Sequence, residues 1–216
     1  MKENKNGKPL KTEPKLRVEL NEEQKEVVAL FYAYDVIFVK GDFGSGKSLV
    51  ASHIALTAFR KKMFNNIWIT RPIIDKMGAL PGDTDQKMAP WIFPIIQNLE
   101  MCQGKETTDK MLKEGQIKIM PISVAKGITF IDAAVIVDEF QDMDYQDFRT
   151  ILTRLGRGSK MIFCGSNQQI EEVMRRFSCI YRVDTLEHSG IVGFKTLTSN
   201  HRNPVLTEII DYLEKQ

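Results

Sequence analysis

Cysteine is scarce in this sequence and is never paired at metal-ligand spacing. Cys102, Cys164 and Cys179 are the three cysteines in 216 residues, and no CxxC occurs. An odd, scattered set argues against a disulfide framework and against a zinc ribbon, and it suits a reducing, cytoplasmic compartment. Long apolar runs are missing as well. The longest, Val27 to Tyr34, has eight residues, whereas a membrane span needs ~20. Residues 1–19 contain no apolar stretch of signal-peptide type, so no membrane partner is expected. Neither sign of charge dominates: 30 Lys and Arg face 28 Asp and Glu, a net charge of +2. A globally basic nucleic-acid binder is thereby excluded, although a local basic patch is not. His53, His188 and His201 stand alone and form no metal-ligand pattern. The cysteines and the ten methionines read as core filling.

What remains is an ordinary globular composition, 43% hydrophobic and 27% charged. At ~150 residues per domain the length fits one α/β domain with an insertion. The first fifteen residues carry five Lys and two Glu with almost no apolar side chain. Residues 1–19 are therefore expected to be a flexible basic tail. Regular structure is expected from Asn21, an N-cap followed by Glu22 and Glu23 in the first helical turn. Short apolar runs predict strands at Val36–Val39, Asn66–Thr70, Ile117–Met120, Ala133–Val137, Lys160–Cys164 and Phe194–Leu197. A helix carrying Leu49, Val50, Ile54, Leu56 and Phe59 follows the first strand. Residues 71–116 form a Pro/Gly-rich insertion, with helices predicted at 86–102 and 106–114. Further helices are predicted at 144–155, 168–178 and 204–215. Alternating strands and helices, with strands apolar throughout, predict an α/β fold: a mostly parallel sheet flanked by helices, with ligands at the carboxyl ends of the strands.

Two motifs fall at those ends. Gly41-Asp42-Phe43-Gly44-Ser45-Gly46-Lys47-Ser48 matches the phosphate-binding pattern G-x-x-x-x-G-K-S/T between a predicted strand and a predicted helix. Its glycines let backbone N–H groups converge on phosphate oxygens, and the helix N-terminus adds positive charge. Lys47 supplies a cation for the β- and γ-phosphates, and Ser48 a hydroxyl ligand for Mg²⁺. Asp138-Glu139 closes the fourth strand. An acidic pair there is costly without a cation, which points to Asp138 as the second Mg²⁺ ligand and to Glu139 as the base that activates water. The implied cofactors are ATP and Mg²⁺.

These residues resemble superfamily-1 helicase cores and, more closely, the PhoH-like ATPases. Leu20-Asn-Glu-Glu-Gln24 resembles the adenine-reading L-N-x-x-Q element. Ile69-Thr-Arg-Pro72 and Leu80-Pro-Gly-Asp83 resemble the T-R-P and L-P-G-D segments. Val137-Asp-Glu-Phe-Gln141 matches D-E-x-Q, and Thr153-Arg-Leu-Gly156 with Gly158-Ser-Lys-Met161 matches T-R-x-G-x-G-S-K-M. Gly165-Ser-Asn-Gln-Gln169 occupies the G-D-x-x-Q position, and Leu197-Thr-Ser-Asn-His-Arg202 resembles L-x-x-N-x-R. The resemblance spans residues 20–215 and implies a single RecA-like P-loop NTPase domain over residues 20–216, with Gln24 as adenine reader. Three departures stand out. Ser166 replaces an acidic residue, Lys126 and Ile128 stand where arginines are usual, and the chain has room for one RecA-like core only.

Gln169, four residues after a strand-end glycine, is the candidate γ-phosphate sensor. Arg202 and Arg154 are candidates for stabilising transition-state charge, one of them on a neighbouring subunit. That fits a homo-oligomer, and the resemblance implies a ring, a hexamer by preference. Arg71, Lys76, Lys87 and Trp91 interleave basic and aromatic character and are candidates for holding single-stranded RNA or DNA. The expected function is an ATPase coupled to single-stranded nucleic acid, RNA favoured. Two alternatives stay open: a thymidine-kinase-like small-molecule kinase, whose usual four-cysteine ribbon is missing here, and an interaction module that binds ATP with little hydrolysis, for which Ser166 speaks.

Overall fold

All six predicted strands form, and they form one sheet. A computed structural model describes residues 16–72, 84–170 and 172–201, with 205, 208, 209 and 212. Strands β1 (Val36–Gly41), β2 (Asn66–Arg71), β3 (Ile117–Pro121), β4 (Ala133–Val137), β5 (Lys160–Gly165) and β6 (Gly193–Leu197) lie in the order β3-β2-β4-β5-β1-β6. Every adjacent pair is parallel, with Val39 opposite Cys164 and Val137 opposite Phe163. The fold is the expected α/β architecture, a parallel sheet flanked by helices.

Both faces of the sheet are covered. On one face α1 (Glu22–Ala33), α2 (Lys47–Arg60), α3 (Thr84–Gln103) and α4 (Lys105–Lys113) bury Val27, Phe31, Leu56 and Leu99 against Ile37, Val39, Ile67 and Ile136. On the other, α5 (Ile122–Ala125), α6 (Tyr145–Leu152) and α7 (Ile180–Val183) bury Ile122, Phe148, Ile151 and Ile180 against Phe38, Val135 and Phe163. Phe38 anchors this second layer: it stacks on Phe163 at 4.9 Å and meets Phe140 edge-on at 5.7 Å. Full burial of such a ring is worth about 1.5–3 kcal/mol.

Several boundaries differ from those the sequence predicts. Residues 16–19 do not belong to a tail: Leu16 and Val18 pack on the core beside Leu20, and the Arg17 N–H donates to the Cys102 carbonyl at 2.8 Å. The remainder of the expected basic tail, residues 1–15, lies outside the described residues. Helix α3 runs through Pro90 and Pro94. Its C-terminal half survives their missing N–H groups because Ile95, Leu99 and Cys102 are buried against the core, and tertiary packing outweighs propensity. Helix α6 stops at Leu152 because residues 154–156 pair with Phe130 instead.

The helix expected at 168–178 does not form. Ile170, Val173, Met174 and Phe177 have helical spacing, yet Ile170 is buried and Phe177 is exposed. The segment ends in tertiary bonds, with the Ser178 hydroxyl on the Gln141 carbonyl and the Cys179 N–H on the Met143 carbonyl. Most of the helix expected at 204–215 lies outside the described residues.

One half-buried carboxylate sets the exit of β6. Glu23 in the first turn of α1 accepts the N–H and the hydroxyl of both Thr198 and Ser199. Those hydrogen bonds hold its pKa down from 4.5 to about 2. A depressed folded pKa gives stability that is complete above the ordinary glutamate value and is lost as the pH falls through about 2. We therefore expect E23Q to be less stable than wild type in urea above pH 4.5, with the two proteins converging as the pH approaches 2. Curves separated by the same amount at every pH would show that the charge contributes nothing.

Candidate functional site

The carboxyl end of β1 runs directly into the glycine-rich loop. Gly41 is packed so closely that a Cβ on it would lie 2.7 Å from the Leu197 carbonyl oxygen and from Ser45 Oγ. Gly44 and Gly46 are left-handed, at φ 74° and 83°, and turn the chain so that α2 begins at Lys47. No side chain caps α2, so its first N–H groups stay free to meet an anion. The loop is stiffened by Ser45, whose hydroxyl donates to the Asp42 carbonyl at 2.8 Å. The Lys47 ammonium is held in the loop by the carbonyls of Gly41 at 2.7 Å and Asp42 at 2.9 Å. Burial pushes its pKa down, and the acidic groups around it, Glu139 foremost, oppose that shift.

Ser48, one residue on, reaches across to β4. Its hydroxyl donates to Asp138 Oδ1 at 2.6 Å. Asp138 is buried, and its pKa is pushed up to about 6, by desolvation first and by the neighbouring Glu139 charge second. The Ser48 hydrogen bond, Arg71 and Lys47 pull the other way and do not cancel the shift. A hydroxyl and a buried carboxylate that is short of positive charge form an oxygen donor set suited to Mg²⁺. The residues present therefore fit the ion.

Glu139 sits where the chain turns sharply, at φ 53° and ψ 41°, a left-handed conformation unusual for a glutamate. Its carboxylate accepts from Gln141 Nε2 at 2.8 Å and lies 3.9 Å from an Arg71 guanidinium nitrogen. Gln141 is 1% exposed and spends its whole amide here. Its oxygen accepts the Ser166 N–H at 3.1 Å, and its nitrogen also reaches the Gln169 carbonyl at 3.4 Å. A Cβ on Gly165 would stand 2.7 Å from the Gln141 oxygen, so only glycine fits there. Ser166 uses its own hydroxyl to accept the Gln168 N–H at 3.2 Å.

A cleft of about 270 Å³ opens over these groups, lined by Phe43, Gly44, Gly46, Lys47, Ser48, Arg71, Asp138, Glu139 and Gln169. Helix α3 supplies its other wall through Pro94, Gln97 and Asn98. Gln24 is buried next to the loop: its amide nitrogen would lie 2.8 Å from a Cβ on Gly46. It also completes the N-terminal capping box of α1 with Asn21. The His201 N–H donates to the Gly44 carbonyl at 3.0 Å, and its ring lies 3.3 Å from Asn21 Nδ2.

The structure thus brings the residues of the phosphate loop, Asp138, Glu139 and Gln169 together in one cleft, with Gln24 at its edge. Arg71, the nucleic-acid candidate, lines the cleft beside Glu139, and its Nε is buried with no partner among the described residues. Others fall elsewhere. Trp91 donates its indole N–H to the Pro72 carbonyl at 3.3 Å and does not line the cleft. Arg154 is not among the described residues that line the cleft: its carbonyl accepts the Phe130 N–H at the amino ends of the strands. Lys76 and Arg202 lie outside the described residues, and Lys87 falls in α3 with its side chain outside them. Gln141, His201, Gln97 and Asn98 are the residues that sequence reasoning missed. The Gln of D-E-x-Q was a visible signal for the first. The two α3 residues had none.

No helix among the described residues is long and apolar enough to cross a membrane. A family model described as PhoH-like protein matches residues 18–214. A PhoH-like protein of Bacillus subtilis is 32% identical over 200 residues, covering 89% of this chain and 62% of its own. Another, from Synechocystis, is 33% identical over 151 residues, covering 68% of this chain and 46% of its own. The chain therefore spans about half to three fifths of the length of these curated relatives. Among solved structures, the Pif1 helicase from Candida albicans aligns over 91% of this chain and 43% of its own, with a TM-score of 0.49 and 20% identity. With its phosphate loop, its acidic strand end and a family match along nearly its whole length, the chain belongs to the PhoH-like protein family.

Proposed function

We propose that this protein hydrolyses ATP and couples the hydrolysis to single-stranded nucleic acid, RNA favoured. The observation that carries the first half is the meeting of Lys47, Ser48, Asp138, Glu139 and Arg71 in one cleft at the end of the sheet. The backbone N–H groups of the loop and of the α2 N-terminus bind the phosphates, and Lys47 exchanges its two carbonyl partners for phosphate oxygens. Ser48 and Asp138 would hold Mg²⁺, whose charge offsets that of the phosphates. Glu139, fixed by Gln141, takes a proton from the attacking water as the new bond to the γ-phosphorus forms. The bond from that phosphorus to the bridging oxygen breaks, and ADP and phosphate leave. Gln169 senses the γ-phosphate from the loop after β5, and Gln24 reads the base.

Support for the nucleic-acid half comes from the order of helicase-like motifs and from the basic and aromatic residues of the 71–91 segment. A homo-oligomeric ring is part of the same reading. It would let one of the two candidates, Arg154 or Arg202, act at a neighbouring subunit's cleft.

Steady-state hydrolysis with and without single-stranded RNA and DNA tests both halves. K47A is expected to lose nucleotide binding. E139Q is expected to keep binding and to lose about 10²–10⁴-fold in turnover, the usual contribution of a positioned base. E139Q turning over at the wild-type rate would remove Glu139 from its role. Stimulation by one polymer supports the coupling and names its class. Turnover indifferent to both polymers would point to a partner-driven interaction module, and absent turnover to a kinase.

Arg71 gives a sharper expectation. As the guanidinium beside Glu139 it stabilises transition-state charge within its own subunit. R71A should lower kcat by about 10³-fold, within the range of an arginine finger, and affect nucleotide affinity far less. Mixing R71A with excess E139Q should restore nothing, because each active cleft needs both residues from one chain. Normal kcat with lost polymer stimulation would return Arg71 to the nucleic-acid surface.

A further inference from the structure

Lys40 precedes the phosphate loop in a strand whose neighbouring residues are buried and apolar, and it is itself only 8% exposed. A lysine there needs a partner. By strand alternation it shares a face with Phe38, opposite the face on which α2 and its phosphate-binding N-terminus lie. Its ammonium donates to Asp184 Oδ1 at 2.6 Å and lies 5.6 Å above the Phe194 ring. Among the described residues Asp184 is the carboxylate that pairs with it. The other oxygen of Asp184 accepts from Asn167 Nδ2 at 3.0 Å. Asn167 belongs to the 165–169 loop that carries Gln169, and Lys40 and Gly165 are register partners in adjacent strands.

Asp184 is itself held from behind. It follows α7, and the residues leading into α7 are fastened to the turn after β4. The Ser178 hydroxyl donates to the Gln141 carbonyl, and the Cys179 N–H to the Met143 carbonyl at 2.8 Å. One short segment, 178–184, thus touches the carboxyl ends of β1, β4 and β5 from the side away from the nucleotide cleft.

We propose that Asp184 is a positioning residue: its two carboxylate oxygens lock the 165–169 loop, and with it Gln169, to the strand that feeds the phosphate loop. The consequence for turnover rests on the ATPase reading; the mechanical tie does not. A plain structural ion pair is the competing explanation, and the double variant K40M/D184L separates the two. In this pair the side chains of Lys40 and Asp184 are 10% and 32% exposed; apolar replacement of a buried ion pair is often neutral for stability, while here it removes the bond to Asn167.

The test compares wild type, D184N, D184E and K40M/D184L in the full chain. Amide hydrogen exchange at 166–169 is measured beside β1 and β5, together with nucleotide affinity and turnover. In K40M/D184L the 166–169 amides should exchange about tenfold faster while the strands keep their protection, as expected for local opening. Turnover should fall about 10²-fold, the cost of a small misplacement, with nucleotide affinity little changed. D184N should move the same way, and D184E should restore part of the loss. Wild-type exchange at 166–169 in K40M/D184L, or exchange raised equally in β1 and β5, overturns the proposal. If the wild-type chain hydrolyses no ATP, the functional reading fails on its own, and the exchange data still decide the tie.

Discussion

Asp138 ends a strand whose five residues are all buried, and water does little to stabilise its charge. Desolvation and the adjacent Glu139 both disfavour the ionised form, and Ser48, Arg71 and Lys47 offset them only in part. Much of the local structure follows from that imbalance. The first turn of α2 must stand close enough for Ser48 to donate to the carboxylate, which needs the left-handed Gly46 to start the helix where it does. Lys47 must be kept near without forming a closed ion pair, and two loop carbonyls hold it there. A cation entering this site meets an acid that gains from being ionised. That is the electrostatic condition for a metal-assisted phosphoryl site.

The chain must then leave β4 without burying Glu139 as well. It does so through a left-handed turn at Glu139 itself, a strained choice for a residue with a side chain, of the kind that collects at functional sites. The turn sends Phe140 and Gln141 back under the sheet and leaves the Glu139 carboxylate on the cleft side. Gln141 converts this geometry into a fixed one. With one amide it holds Glu139, the Ser166 N–H and the Gln169 carbonyl, joining the loops after β4 and β5. Because its oxygen packs against Gly165, any larger residue at 165 would push the two loops apart. The serine at 166 fits the same logic. Its buried hydroxyl caps the next turn, where an acid would add a third negative charge near Asp138 and Glu139.

Features with a local physical cause were legible in the sequence. The six apolar runs became the six strands, the Asn21 cap formed with its box, and the phosphate loop followed from fixed glycine spacing between a strand and a helix. Features decided by distant partners were not. Residues 168–178 have helical spacing, yet bonds to the Gln141 and Met143 carbonyls take over their end. Arg71 read as a nucleic-acid contact because it stands with Lys76, Lys87 and Trp91 in a Pro/Gly-rich zone, and only the folded strands bring it within 3.9 Å of Glu139. Arg154 sits in a recognisable motif, and only its pairing with Phe130 places it at the amino ends of the strands. Gln97 and Asn98 face the cleft because α3 packs on α2, and no local pattern announces that.

Strand order explains why one cleft gathers residues from so many parts of the chain. In the sequence β4-β5-β1-β6 the phosphate-loop strand lies between the strand that leads to Gln169 and the strand that leads to His201. Gly165 is level with Lys40, and Leu197 is level with Gly41, so three loops leave the sheet side by side. Each needs separate fastening, because parallel strands provide no direct link between neighbouring loop ends. Gln141 ties two loops on the cleft side, Asp184 ties the 165–169 loop to β1 on the far side, and Glu23 clasps Thr198 and Ser199 to α1. Each fastening draws on one polar side chain that takes more than one hydrogen bond. A change in any one of these loops is therefore felt by its neighbours through hydrogen bonds rather than through the sheet.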